Sequence, residues 1–185
     1  MPTPPKPYFA PLAIRGRTHE LAHLDPFKLL VDSRTAGRVL RVHVRFTTHC
    51  FTEGFDPATC PPDEPRILDE GRRFRVFCPV RHGLSAHLPA AIRGLNHPKA
   101  RVHQTGSRRN WLHSATVEGH HGPYHIFFEV RRAPQDRRRM QDVELTVESA
   151  YPQGDAHPEP TTIGPMGFLV LIGNVFLGKP VAARR

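Results

Sequence analysis

Residues 40–46 constrain the fold more than any other stretch of this chain. Leu40, Val42, Val44 and Phe46 occupy every second position, and Arg41, His43, Arg45 and Thr47 alternate with them. Successive side chains of an extended chain point to opposite faces, so the pattern specifies a strand with one buried face. Residues 124–130 (Tyr-His-Ile-Phe-Phe-Glu-Val) and 143–151 read as two further strands, the latter alternating Val143, Leu145 and Val147 with Glu144, Thr146 and Glu148. The basic loop at 134–139 between them predicts an antiparallel hairpin. Phe74, Val76 and Cys78 alternate around Arg75, and 109–117 is another candidate strand. Leu12-Ala13-Ile14 is a possible short strand, and the rest of 12–37 is mixed. Residues 53–72 are rich in Pro, Asp and Glu and read as a loop.

Two segments carry a helical period instead. In 85–95, Leu88, Ala91, Ile92 and Leu95 recur at helical spacing, with Ser85 as the N-cap candidate and Pro89 confined to the first turn. The apolar run 166–177 admits a hairpin around Gly173-Asn174 or a helix. The helix is favoured, because Pro165 suits its start and Gly178 its end. The expected fold is therefore α+β: a mostly antiparallel sheet of about five strands with two or three helices. Residues 1–11 carry five Pro and read as a flexible arm, and 12–185 form one domain.

Charge speaks to partners rather than fold. The 185 residues carry a formal net charge of +9 with His neutral, and 13 His add to it as pH falls. Such a balance favours an anionic partner, with nucleic acid first, and binding that weakens with salt. An Arg-rich codon usage is the competing explanation. Three Cys do not suggest a disulfide framework. No leader pattern opens the chain, and no apolar run suits a membrane span, so the expectation is a cytoplasmic protein without a membrane partner.

Five constellations bear chemistry. Thr48 and His49 close the first strong strand, where an imidazole beside hydroxyls can work as acid or base. Arg81 and His82 fall in Pro79-Val80-Arg81-His82-Gly83, between a strand and a helix start, and suit a phosphate clamp. Arg108, Arg109 and Asn110 precede Trp111, a grouping that suits a phosphate backbone and a stacked base. Ser149 and Tyr151 share one side of the last strong strand. Each also has a bland reading, as an exposed His, a basic loop, a rim around a core Trp or a strand end. His49, Cys50, Cys60, Cys78 and His82 lack the short ligand gaps of structural zinc sites, so no metal and no cofactor is expected. No hydrolase elbow, phosphate-binding Gly loop or dinucleotide fingerprint is present, and no paired carboxylates stand at catalytic spacing.

Ile14-Arg15-Gly16-Arg17, Leu24-Asp25-Pro26-Phe27, Thr48-His49-Cys50-Phe51-Thr52, Arg75-Val76-Phe77-Cys78, Leu84-Ser85, Leu88-Pro89, residues 124–128 and Ser149-Ala150-Tyr151-Pro152 together resemble small bacterial proteins labelled stationary phase growth adaptation protein. That resemblance spans about 12–180 and implies a single bacterial domain. The basic strand–helix region and the terminal Ser-x-Tyr-Pro are also similar to metal-independent RNase toxins of the barnase, RelE and colicin group. This second resemblance implies a metal-independent endoribonuclease. His49 or His82 would be its acid or base, Arg81 its phosphate stabiliser, and Tyr151 a further catalytic contact. Thr48, Arg108, Arg109, Asn110 and Ser149 would bind substrate. RNA is the expected partner ahead of DNA, with an acidic inhibitor protein beside it. The alternatives are a non-catalytic nucleic-acid-binding or regulatory protein of a stress or phage-defence system, and a module docking on an acidic protein.

Overall fold

The computed structural model describes residues 6–106, 110–117, 122–154, 157 and 159–181. Its largest element is a seven-stranded sheet built from β3 (Phe27–Ser33), β4 (Arg38–Phe46), β8 (Arg101–Thr105), β9 (Trp111–Thr116), β10 (Pro123–Arg132), β11 (Val143–Pro152) and β12 (Thr162–Gly167). The strand order is β12-β8-β9-β10-β11-β4-β3. All neighbours are antiparallel except β4 and β11, which run parallel with Val44 opposite Leu145. A three-stranded sheet of β5 (Thr52–Gly54), β7 (Phe74–Phe77) and β6 (Arg66–Leu68), in that order, and a β1 (Leu12–Ile14)–β2 (Arg17–His19) hairpin complete the strands.

The expectation of an α+β fold with about five mostly antiparallel strands is therefore corrected. The described residues hold twelve strands in three sheets, with a mixed main sheet and few helices. β1, β2, β5 and β6 have three residues each, too few for a period of two to register. β3 does alternate, with Leu29, Val31 and Ser33 buried, but Leu30 points out and the serine points in, which hides the pattern. β12 contains Pro165 and lies on the sheet edge, where a missing N–H is tolerated. In β7 the alternation is only partial, since Phe74 is exposed while both Val76 and Phe77 are buried.

The single helix predicted over 85–95 is also corrected. The chain forms α1 (Pro79–Ser85) and then α2 (Leu88–Gly94). Pro89 explains the break: its ring conflicts with the carbonyl four residues back, that of Ser85, and it has no N–H to donate there. Ser85 thus ends one helix rather than capping another, and its Oγ donates to the His82 carbonyl at 2.7 Å. Arg81 and His82, expected between a strand and a helix start, lie inside α1. The C-terminal apolar run is helical, as α3 (Phe168–Leu177), and Gly178 closes it at φ 69°, the left-handed region that glycine occupies without strain.

The core lies on one face of the main sheet. Leu40, Val42, Val44 and Phe46 of β4, Val143, Leu145 and Val147 of β11, and Tyr124, Ile126 and Phe128 of β10 are all buried there. Phe168, Leu171 and Ile172 of α3 and Leu88 and Ile92 of α2 join the same cluster. Phe9 joins it from the N-terminal segment, its ring edge-on to Phe51 at 5.1 Å. Among the described residues no helix is long and apolar enough to cross a membrane.

Candidate acid–base cleft

The opposite face of the sheet carries the polar groups. Arg41 does not stand free on it: its Nε and Nη2 donate to the two carboxylate oxygens of Asp142 at 3.0 and 3.1 Å. Arg45 Nε donates to Thr146 Oγ1 at 2.9 Å. The basic rows of the sequence are thus largely committed to holding β4 against its neighbours, and the open site lies at the strand ends.

There the pairing of β10 with β11 slips by one residue. Phe127 faces Ser149 but Phe128 faces Val147, leaving Glu148 as the extra residue of a bulge. Bulges redirect side chains at the edge of a pairing. Here Glu148, Ser149 and Tyr151 all line one cleft of ≈630 Å³, shared with Thr47, His49, Glu70, Arg73, Asn110 and Phe127. The rings of Phe127 and Tyr151 stack at 5.1 Å.

His49 reaches this cleft from a 3-10 turn, Thr48–Cys50, that follows β4 and is capped by the Thr47 side chain. Its Nε2 lies 3.0 Å from Asp69 Oδ2 in the β6–β7 turn. Asp69 is buried and accepts four times in all: from the Gly71 and Arg73 backbone N–H groups at 2.9 and 2.8 Å, from Arg73 Nε at 3.0 Å and from His49. Desolvation by burial pushes its carboxyl up, but the hydrogen bonds from Arg73 and His49 outweigh it and hold the pKa down at about 2. An ionised carboxylate only accepts, so Nε2 of His49 carries a proton, and in the neutral ring the lone pair is then on Nδ1. Thr48 does not line the cleft. Its N–H and Oγ1 donate to Glu70 at 2.9 and 3.0 Å, bracing the turn that carries His49.

Arg81 projects from α1 to the back of this cleft, where it touches His49 and Tyr151 without being one of the cleft's lining residues. Its Nη1 donates to the His49 carbonyl at 3.2 Å, its Nη2 lies 3.2 Å from His157 Nε2, and its guanidinium lies 5.4 Å from the centre of the Tyr151 ring. It is only 8% exposed, and no carboxylate lies within ion-pair distance of it among the described residues. His157 completes the group, its ring 4.4 Å from that of Tyr151. Burial, and then the charge of Arg81, lowers the His157 pKa, so Nε2 accepts from the guanidinium. Burial raises the Tyr151 pKa against a smaller opposite effect of Arg81.

Of the residues singled out by sequence, His49, Arg81, Ser149, Tyr151 and Asn110 come together. His82 does not. It lies on another side of α1, with Nε2 3.0 Å from the Glu20 carbonyl and its ring 5.2 Å from both His19 and Phe77. Arg108 and Arg109 lie outside the described residues. Asp69, Arg73, Phe127 and His157 were not legible as site residues, because the turn, the bulge and the Gly154–His157 bridge that place them leave no spacing signature. Among the described residues no three His, Cys, Asp or Glu side chains form a group that could hold a metal ion.

No solved structure matches the chain. Protein YjaZ of Escherichia coli (strain K12) is 25% identical over 141 residues, covering 74% of this chain and 75% of that protein. The model of the YjaZ family matches residues 11–176, the span that includes both strand ends of the cleft, α1 and the Asp69 turn. The chain belongs to the YjaZ family.

Proposed function

We propose that the cleft binds RNA and cleaves it by metal-independent acid–base chemistry. The observation that carries this reading is Arg81, a buried guanidinium with no carboxylate partner among the described residues, bonded to the backbone carbonyl of a carboxylate-oriented histidine. An isolated buried charge is costly, and a substrate phosphate would neutralise it. The stacked rings of Phe127 and Tyr151 beside it offer a platform for an unpaired base.

In this reading His49 Nδ1 takes the proton of a ribose 2′-hydroxyl. The freed oxygen forms a bond to phosphorus, and the bond from phosphorus to the 5′-oxygen breaks. Tyr151 donates its proton to that leaving oxygen and recovers one from solvent. Arg81 neutralises the charge that develops on the phosphate. The products are a 2′,3′-cyclic phosphate and a 5′-hydroxyl. Incubating the protein with end-labelled single-stranded RNA in EDTA tests this. Products ending in cyclic phosphate, lost in His49→Ala and Arg81→Ala, are expected. Intact RNA with the wild-type protein rejects it.

The Phe127–Tyr151 pair serves equally in a non-catalytic RNA-binding protein. Salt-sensitive binding without cleavage, weakened by Tyr151→Ala and untouched by His49→Ala, would favour that second reading.

A further inference from the structure

We infer a second ligand site, separate from the cleft of His49, in the cavity between the β1–β2 hairpin and the small sheet, and assign it to a nucleoside monophosphate. The cavity measures ≈590 Å³, within the roughly 300–1,000 Å³ typical of small-molecule sites. Ile14, Val76 and Phe77 give it an apolar floor, and Arg17, His19 and Glu53 are its polar walls. None of these six lines the cleft of His49.

Each wall matches one part of such a ligand. Arg17 has no carboxylate within ion-pair distance among the described residues, so its guanidinium is available to a phosphate. The His19 ring packs against that of buried Phe77 at 4.3 Å, and half-buried His19 is the ring left to meet a planar base beside the apolar floor. Glu53 is an acceptor for the paired hydroxyls of a ribose. A purely apolar ligand would leave Arg17 and Glu53 unused, and inorganic phosphate would leave the floor bare.

The rim has its own device. Arg15 Nη2 meets Glu64 Oε2 at 2.7 Å, tying the hairpin to the loop that also supplies Cys60 to the cavity wall. Arg15 holds φ 49° and Gly16 φ 75° at the hairpin tip. Glycine takes that conformation freely, whereas an arginine there is strained, and such strain gathers where a site needs a particular geometry. The Arg15 side chain is mostly exposed, so its ion pair holds the rim weakly enough to open.

Cys60 reports on occupancy. Cys50 and Cys78 are buried, and burial pushes the Cys50 thiol up to about 12, so iodoacetamide labels Cys60 first. Alkylation of Cys60 in the full chain is followed by mass spectrometry with 5′-AMP, adenosine or inorganic phosphate, and binding is measured in parallel by calorimetry. AMP is expected to slow alkylation and to bind at least about tenfold more tightly than adenosine or phosphate alone. Arg17→Ala is expected to weaken AMP binding about tenfold, and Glu53→Gln to weaken AMP more than 2′,3′-dideoxy-AMP. His49→Ala should bind AMP as the wild type does. The inference is overturned if 5′-AMP shows neither heat nor protection. It is equally overturned if phosphate matches AMP, if Arg17→Ala binds normally, or if His49→Ala abolishes binding.

Discussion

Asp69 Oδ2 holds His49 Nε2 at 3.0 Å while the same carboxylate closes its own turn through two backbone N–H groups and the Arg73 guanidinium. One buried side chain therefore does two jobs, shaping the β6–β7 connection and fixing the tautomer of the imidazole. The substitution Asp69→Asn keeps the shape but removes the charge, and its amide can donate to Nε2. In the proposed mechanism the proton then moves to Nδ1, and the base is lost. Single-turnover RNA cleavage is expected to fall about 100-fold or more. Stability should drop by about 2–3 kcal/mol in denaturant titrations. A variant with full cleavage would detach Asp69 from the chemistry.

The same carboxylate sets an acid limit. Its folded pKa, about 2, lies below the ordinary value of 3.8, so its contribution is complete above the unfolded pKa. That contribution is lost as pH falls from about 4 toward 2. Melting temperatures measured across this window should drop more steeply for the wild type than for Asp69→Asn. Parallel curves would mean that the folded and unfolded carboxyls titrate alike.

Histidines act at milder pH. Burial is the first cause lowering the pKa of His23, His43, His113 and His157. Each is therefore easier to protonate in the unfolded chain. Their stabilisation is present above about 6.5, the ordinary value for His, and is lost as pH falls through it toward the folded values. The melting temperature should decline between pH 7 and pH 5, and His113→Gln, a neutral replacement, should flatten that decline. An unchanged slope would show that His113 titrates the same way in both states.

Legibility in the sequence tracked strand length and continuity. β4, β10 and β11 are long, alternate cleanly and are plain from residues alone. The parallel pairing of β4 with β11 is not, because its partners lie about a hundred residues apart and nothing local encodes their adjacency. Pro89 was visible, yet its effect on the Ser85 carbonyl required placing the helix break before it rather than around it. In the site, His49, Ser149 and Tyr151 stood out because they end strands with strong periodicity. Asp69 sat in a stretch of Pro, Asp and Glu where one more acid carries no signal. His157 is brought to Tyr151 only by tertiary contact, and a bulge at Glu148 cannot be read from a pattern that it interrupts.

Packing between α3 and β3 gives a sharper test of the fold than any surface change. A methyl group on Gly173 would come within 2.6 Å of Ser33 Oγ and 2.7 Å of Thr35 Cβ. Helix propensity alone favours alanine over glycine by about 1 kcal/mol, so a neutral site would gain from the change. Here the overlap should dominate, and Gly173→Ala is expected to cost about 1–3 kcal/mol net. Urea denaturation decides the sign. A stabilised Gly173→Ala would show that α3 stands farther from β3 than this contact requires.

The opposite sign is expected at Tyr124. Its side chain is fully buried, and among the described residues its hydroxyl has no hydrogen-bond partner. Burial raises its pKa, so it stays neutral. A buried hydroxyl that has given up water and gained no partner is a net cost, and truncation to the isosteric ring removes that cost while keeping the packing against Ile126 and Phe128 of the same strand. Tyr124→Phe should therefore leave stability unchanged or raise it by up to about 1 kcal/mol. RNA cleavage should be unaffected, because the ring faces the core and not Phe127 or Tyr151. A loss of about 1 kcal/mol or more would instead point to a buried water bridging Oη to the polar groups behind the cleft. A loss of cleavage at unchanged stability would bring that hydroxyl into the chemistry of Arg81.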